Sequence, residues 1–239
     1  MSKRAERRRE QEVARRNRRM AFIAIVALAA IAIVVILIRQ GAPARVTGEV
    51  IVPTPIDAPS AQGTAMGDPN APVRVDEFSD YQCPYCRQFQ ETTLPQLAAN
   101  EIADGKVYFV YHPFSFIGQE SRDAANAAFC AGDQGKFFEY SETLFANQAG
   151  ENVGAFSQSR LKAFGEALGL DMAGFNTCLS ENQHQNEVNQ EYAKGVAAGV
   201  QSTPSFLING RLVKGALPYD QFQSQIQLAL TQSQPSPTP

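Results

Sequence analysis

The four residues Cys83-Pro84-Tyr85-Cys86 place two thiols one helical turn apart, directly after an apolar run. Residues 73–78 have a strand pattern and the residues after Cys86 a helical one, so we expect Cys83 at or near a helix N-cap. Unpaired amides and the positive end of the helix dipole favour a thiolate there, and Pro84 fits the first helical position. Cys83 is therefore the predicted nucleophile of a reversible disulfide, and Cys86 is the predicted resolving thiol.

This motif has two alternative interpretations: it could be half of a zinc site, or it could be an inert structural disulfide. A zinc site built on such a cysteine pair usually needs a second pair of ligands. The other cysteines, Cys130 and Cys178, are isolated in the sequence, and the only histidines are His112 and His184. We therefore predict redox chemistry at Cys83 and no metal.

The N-terminal region combines a basic stretch with an apolar one. Residues 1–19 carry nine Lys or Arg against three Glu, and residues 20–38 contain no charge. The apolar run has about the length that crosses a bilayer as a helix, and the flanking bases act as a topology signal. We predict a basic cytoplasmic tail, a single-pass transmembrane signal anchor at residues 20–38, and an extracytoplasmic remainder at the cell membrane. Cleavage as a signal peptide after the A-x-A-like residues 42–44 is the alternative.

The charge balance of the remainder argues against nucleic acid as a partner. Residues 40–239 carry eleven bases and 21 acids. An acidic exported domain is poorly suited to nucleic acid and to tight docking on anionic lipid. Outside the cytoplasm, all four cysteines can be oxidised.

Composition divides the rest of the chain into a linker, one domain and a tail. Residues 39–66 are rich in Pro, Gly, Ala and Thr, which predicts a flexible linker. Residues 231–239 predict a disordered tail. The domain between them, residues 67–230, has apolar patterns that predict a strand, a helix and a second strand, followed by a helical insertion at about 119–182. The insertion therefore adds helices to the predicted strand, helix and second strand.

The C-terminal part of the domain has clear local signals. After the insertion, a further helix leads to Thr203-Pro204 and then to a hairpin that turns at Asn209-Gly210, the preferred sequence for a type I′ turn. A last amphipathic helix follows.

This order of elements resembles the α/β thioredoxin fold with a helical insertion, in its DsbA-like, membrane-anchored form. The segment from Glu77 to Cys86 is similar to the catalytic segment of that family, with Pro84-Tyr85 where the best-known oxidase has Pro-His. The resemblance covers roughly residues 67–230. It implies a protein thiol-disulfide oxidoreductase that needs no organic cofactor and no metal.

Glu77 is a candidate proton relay both by its position and by the resemblance. Strand alternation puts Val73, Val75 and Glu77 on one face, and family members hold a buried acid at the corresponding position beneath the disulfide. A carboxyl shielded from water has a raised pKa and can exchange a proton with Cys86. A solvated strand residue is the alternative.

The resemblance implies two further features. Thr203-Pro204 is similar to the cis-proline loop of the family, in which the backbone of Thr203 pairs with an extended substrate segment; an ordinary trans turn is the alternative. The family often carries a second disulfide in the insertion, which implies a structural Cys130–Cys178 bond. A second redox relay and two buried free thiols are the alternatives.

The combined expectation is an oxidase that donates the Cys83–Cys86 disulfide to exported proteins with free thiols. The resemblance implies that a quinone-linked membrane reoxidase of the DsbB or VKOR type regenerates the disulfide. A reductase or disulfide isomerase of the same fold is one alternative. Another is a chaperone or peptide-binding module in which the cysteine pair is only structural.

Overall fold

The computed structural model describes residues 48–233 and, nearer the N-terminus, residues 20, 22–23, 25–28 and 31–32. The chain divides into two units, Met1–Ala44 and Arg45–Pro239.

The predicted membrane segment, residues 20–38, is only partly covered by the description. Its described residues are helical. Among all described residues, no helix has both the length and the apolar character needed to cross a bilayer. The predicted cytoplasmic tail, the linker as far as residue 47 and residues 234–239 lie outside the described part of the chain.

The second unit contains a five-stranded sheet and helices packed against it. The strands are β1 (Ala65–Met66), β2 (Val73–Ser79), β3 (Val107–Pro113), β4 (Ser205–Ile208) and β5 (Arg211–Lys214). The helices are α1 (Pro84–Thr92), α2 (Leu94–Leu97), α3 (Gln119–Gly132), α4 (Phe137–Ala146), α5 (Gln158–Ala167), α6 (Met172–Glu181), α7 (Gln185–Ala197) and α8 (Tyr219–Ser233). A short π-helical turn, Ala98–Ile102, follows α2.

The sheet has the strand order β1-β3-β2-β4-β5, which puts β2 at its centre. β2 runs parallel to β3 and antiparallel to β4, with Val75 opposite Phe109 on one side and Ile208 on the other. The predicted parallel pair connected through a helix is therefore confirmed. So is the hairpin, in which Asn209 and Gly210 both adopt positive φ, as a type I′ turn requires.

Alternation along β2 separates an apolar face from a charged one. Val73, Val75 and Glu77 are buried, which confirms that Glu77 points inward. Asp76 faces the opposite side, where its carboxylate lies 2.8 Å from Nε2 of His112. Glu191 of α7 lies 2.6 Å from Nδ1 of the same ring, so His112 belongs to a buried ion-pair cluster on the other face of the sheet.

Pro95 interrupts the long helix that follows the cysteine motif. A proline lacks the amide of an interior helical hydrogen bond, and α1 accordingly ends at Thr92 before α2 begins at Leu94. Phe89 of α1 packs against Phe206 of β4 and Phe222 of α8, with ring centroids 4.6 Å and 5.3 Å away. These contacts fix α1 on the sheet. Helix α8 continues to Ser233, so the predicted disordered tail begins three residues too early.

The predicted insertion consists of α3 to α6. Within it, Cys130 of α3 and Cys178 of α6 form a disulfide across 48 residues of sequence, which is the pairing that the family resemblance implies. The bond joins the end of one helix to the end of another.

Residues 48–58 correct the predicted linker, because they are hydrogen-bonded to the insertion rather than free of it. The amide and carbonyl of Ile51 pair with the side chain of Asn147. The Ile56 amide donates to Glu142, and Arg160 donates to the Gly48 carbonyl over 3.0 Å. We call this segment the strap. Its contacts use backbone groups, and such contacts leave no periodic pattern in the sequence.

The insertion disulfide should contribute strongly to stability. In the chain-entropy model a loop of this length is worth about 4 kcal/mol. In a Cys83→Ser/Cys86→Ser background, we expect the further pair Cys130→Ala and Cys178→Ala to lower the free energy of unfolding in urea by about that amount. A loss below about 1 kcal/mol would show that the bond constrains little.

Candidate active site

Cys83 is the N-cap residue of α1, as predicted. Its backbone is extended, with φ −77° and ψ 121°, and proline follows at the start of the helix. The residue is only 5% exposed. Its Sγ lies 3.4 Å from the carbonyl oxygen of Thr203. The end of β2, the start of α1 and the loop before β4 therefore meet at this sulfur.

The environment of Cys83 favours its thiolate. The pKa of Cys83 is lowered from an ordinary 9.0 to about 6, first by a hydrogen bond from the Cys86 thiol, while burial opposes the shift. The Thr203 side chain and the backbone amides of Tyr85 and Cys86 lower this pKa further. The first turn of α1 thus supplies donors to a sulfur anion, as a helix N-terminus does in general.

Cys86 behaves in the opposite way. It is fully buried, and burial together with the neighbouring Cys83 sulfur raises its pKa well above the ordinary value. Both thiols are free in this structure, which therefore represents the reduced pair. The pair divides its roles: one sulfur is anionic near neutral pH, and the other keeps its proton.

A buried carboxyl lies beneath the pair. Burial raises the pKa of Glu77 to about 8, although the nearby Ser79 hydroxyl and the Gln90 amide oppose the shift. Gln90 donates to Oε2 over 2.9 Å. Among the described residues, Oε1 of Glu77 and the hydroxyl of Ser79 have no partner within normal hydrogen-bond geometry. Ser79 also lowers the pKa of Cys86, so its hydroxyl acts on both the carboxyl and the resolving thiol.

The loop before β4 carries the cis peptide Thr203–Pro204, as the family resemblance implied. The Thr203 carbonyl faces Cys83, and the Pro204 carbonyl accepts the Gly215 amide over 2.9 Å. Within the described part of the chain, the buried Thr203 hydroxyl has no partner. It is therefore available to a sulfur anion or to a bound chain.

Asp80 organises the rim of the site, a role that the sequence did not reveal. Its buried carboxylate accepts four donors: the Gln82 amide, the Ser121 hydroxyl, and the amides of Phe116 and Ile117. These donors come from the cysteine loop, the loop after β3 and the start of α3. One carboxylate therefore joins three segments around Cys83.

The insertion also holds the backbone of the cysteine loop. The Gln148 side chain donates to the carbonyls of Tyr81 and Cys83, over 2.7 Å and 3.1 Å. The Tyr81 hydroxyl lies 2.8 Å from that of Ser141 on α4. An Asp before a cysteine motif is a recognisable turn signal, whereas Gln148 and Ser141 lie too far along the chain to be found by local patterns.

The remaining predicted site residues take different positions. Tyr85 of the active-site dipeptide is 64% exposed and forms part of the outer surface next to Cys83. The Cys130–Cys178 disulfide lies near the C-terminal ends of α3 and α6, whereas the dithiol site uses the start of α3.

The lowered pKa of Cys83 predicts a distinct pH dependence of alkylation. In the reduced protein, we expect the rate of iodoacetamide labelling at Cys83 to rise through about pH 6 and then to level off, because the thiolate is then fully formed. Cys86→Ala should move this midpoint upward, since it removes the principal hydrogen bond to the anion. Glu91→Gln, an exposed change on the same helix, is the control. A midpoint near the ordinary thiol value in the unaltered protein would contradict the assignment.

Comparison with known proteins gives one consistent family. The thioredoxin family model matches residues 60–228. The probable disulfide bond formation protein D of Bacillus cereus is 30% identical over 152 residues, covering 62% of this chain and 70% of that protein. The crystal structure of oxidised BdbD from Bacillus subtilis superposes with a TM-score of 0.66 at 23% identity, covering 74% of this chain and 98% of that one.

A further relative shares only one segment with this chain. The Na(+)/H(+) antiporter NhaA 1 of Salinispora arenicola is 29% identical over 150 residues, which is 63% of this chain but 22% of the antiporter. This chain thus spans about a fifth of that protein's length. The family match, the fold and the paired cysteines agree, and we conclude that the chain belongs to the thioredoxin family as a DsbA-like thiol-disulfide oxidoreductase.

Proposed function

We propose that this protein is a membrane-tethered, extracytoplasmic thiol oxidase that donates the Cys83–Cys86 disulfide to exported proteins. The observation that carries the proposal is the asymmetry of the reduced pair. A lowered pKa at Cys83 means that the reduced state is stabilised as a thiolate. Stabilising the reduced form makes the corresponding disulfide a stronger oxidant.

The chemistry proceeds by two thiol exchanges. A substrate thiolate attacks Sγ of Cys83, the Cys83–Cys86 bond breaks, and Cys86 leaves with the electron pair. A second substrate thiolate then attacks the substrate sulfur of the mixed disulfide, and Cys83 leaves as a thiolate. The substrate loses two electrons and gains a disulfide, while both catalytic cysteines end reduced.

The first step requires a proton for Cys86, because its raised pKa makes a free thiolate at that buried position costly. Glu77 has a pKa of about 8 and therefore holds a proton at neutral pH. Ser79 acts on the pKa of both groups, and its hydroxyl can pass the proton on. Unpaired buried polar atoms at Glu77 and Ser79 are also the kind of site that an ordered water bridges.

The Thr203 loop is suited to hold an extended substrate segment. Its carbonyl and its unpaired hydroxyl lie beside Cys83, so a bound chain can pair with the loop while its sulfur reaches the disulfide. Exposed Tyr85, two residues after Cys83, supplies an apolar surface for such a segment.

The proposed location depends on the sequence. Nine bases followed by the uncharged residues 20–38 favour an anchor with the N-terminus in the cytoplasm and the domain outside. In that compartment exported proteins with free thiols are the substrates, and a quinone-linked membrane partner of the DsbB or VKOR type is the proposed oxidant of the reduced pair. The Bacillus relative carries a name for disulfide bond formation, which supports this direction of electron flow.

Removing the proton donor should slow the exchange without unfolding the site. Glu77→Gln keeps the shape of the side chain but cannot give up a proton, so we expect oxidation of a model dithiol peptide to slow by about 100-fold. The rate profile should also lose its inflection near pH 8. The exposed change Glu91→Gln is the matched control. An unchanged pH profile in the Glu77 variant would exclude the relay.

The direction of electron flow is tested by the reduction potential. The full-length protein is equilibrated with glutathione buffers, and the redox state of Cys83 and Cys86 is followed by alkylation and mass spectrometry. We expect a potential near about −120 mV, the range of strong oxidases, and the Cys86→Ala variant should form only mixed disulfides. A value near about −270 mV would instead identify a reductase.

A further inference from the structure

The insertion disulfide lies next to a histidine and two carboxylates that take no part in the dithiol site. Cys130 and Asp133 are at the end of α3, Cys178 is near the end of α6, and His184 and Glu187 are at the start of α7. The sulfurs of both cysteines and a ring nitrogen of His184 lie within 4.8 Å of one another. The fold thus brings together residues that are far apart in the sequence.

A carboxylate lies beside two of these three residues. Oδ2 of Asp133 lies 2.8 Å from Nε2 of His184 and 3.9 Å from Sγ of Cys178. Two sulfurs, one imidazole nitrogen and one carboxylate oxygen are the ligand types that zinc takes in tetrahedral sites. Asp133 also caps the end of α3, where the helix dipole favours a cation.

The histidine is already oriented as a metal ligand would be. Nδ1 of His184 lies 2.7 Å from Oε2 of Glu187, and the ring is 5.6 Å from that of Phe129. A ligating histidine usually donates its other ring N–H to a carboxylate, which fixes the ring and strengthens the ligand. Nε2, which faces Asp133, is then the nitrogen left to bind an ion.

We propose that this group becomes a divalent metal site of the zinc class when the Cys130–Cys178 disulfide is reduced. In the oxidised protein the sulfurs are bonded to each other and are poor ligands. The site is therefore gated by the redox state of the insertion. The bound ion would tie α3 to α6 in place of the lost covalent bond.

The exchange balances with a dithiol as reductant. The dithiol transfers two electrons and two protons, the Cys130–Cys178 bond breaks, and the reductant becomes a disulfide. Zn²⁺ then forms bonds to both sulfurs, to Nε2 of His184 and to Asp133. Each thiol releases its proton, and Nε2 releases the proton that it shares with Asp133. Because these protons compete with the ion for the same atoms, binding strengthens as the pH rises.

The test uses the full-length chain with Cys83→Ser and Cys86→Ser, so that only the insertion thiols can respond. Anaerobic protein, oxidised or reduced with a phosphine, is titrated with Zn²⁺ against a chromophoric chelator and with Co²⁺ as a spectroscopic probe. We expect one equivalent of metal in the reduced form, with thiolate-to-cobalt charge transfer and tetrahedral visible bands. The oxidised form should bind none at the same concentrations.

Substitutions of single residues distinguish a specific metal site from nonspecific coordination of the metal by the two thiols. Glu187→Gln should weaken Zn²⁺ binding by about 10- to 100-fold, as loss of a carboxylate behind a ligating histidine does, and His184→Ala should weaken it further. Exposed Glu181→Gln, near the end of α6, is the matched control. Near-ultraviolet circular dichroism of each oxidised variant checks its fold.

Three results would overturn the proposal. Equal metal binding in the oxidised and reduced forms would show a site that does not need the sulfurs. Reduced protein whose affinity is unaffected by His184→Ala would show adventitious thiol binding only. A reduced chain that loses its near-ultraviolet signal and does not regain it with Zn²⁺ would show that no such site forms.

Discussion

The hydrogen bond within the cysteine pair is the interaction on which the chemistry of this domain depends. It lowers the pKa of Cys83 more than any other contact, and the same contact helps to keep the proton on Cys86. The surrounding fold serves this arrangement: β2 ends and α1 begins where one sulfur meets backbone amides and the other is closed off from water. An exposed pair of thiols with the same sequence would not be divided in this way.

Local sequence patterns were sufficient for the catalytic pair and for Glu77. The strand alternation of β2 fixes which acid is buried, and proline after Cys83 marks the start of the helix. Both signals act over a few residues, where backbone geometry dominates. The cis peptide at Thr203 and the disulfide of the insertion followed from the family resemblance, because neither has a local signature of its own.

The residues that the sequence did not reveal act over long separations. Asp80 accepts donors up to 41 positions away, and Gln148 donates to carbonyls 65 and 67 positions away. The composition of the strap predicts a flexible linker. Its order comes from Asn147 and Arg160 on the insertion, which pair with backbone groups. Such contacts depend on tertiary packing, which composition does not report.

The contacts of the cysteine loop also determine whether the helical insertion could be removed from this fold. Ser121, Ser141 and Gln148 all belong to the insertion, and they support Asp80, Tyr81 and the first carbonyl of the catalytic helix. Excising the insertion to leave a bare thioredoxin core would leave a buried carboxylate short of a donor and a tyrosine hydroxyl unpaired. The extra helices therefore support the active site. Which residues they can carry is limited by the reaction at Cys83 and Cys86, although they do not themselves take part in it.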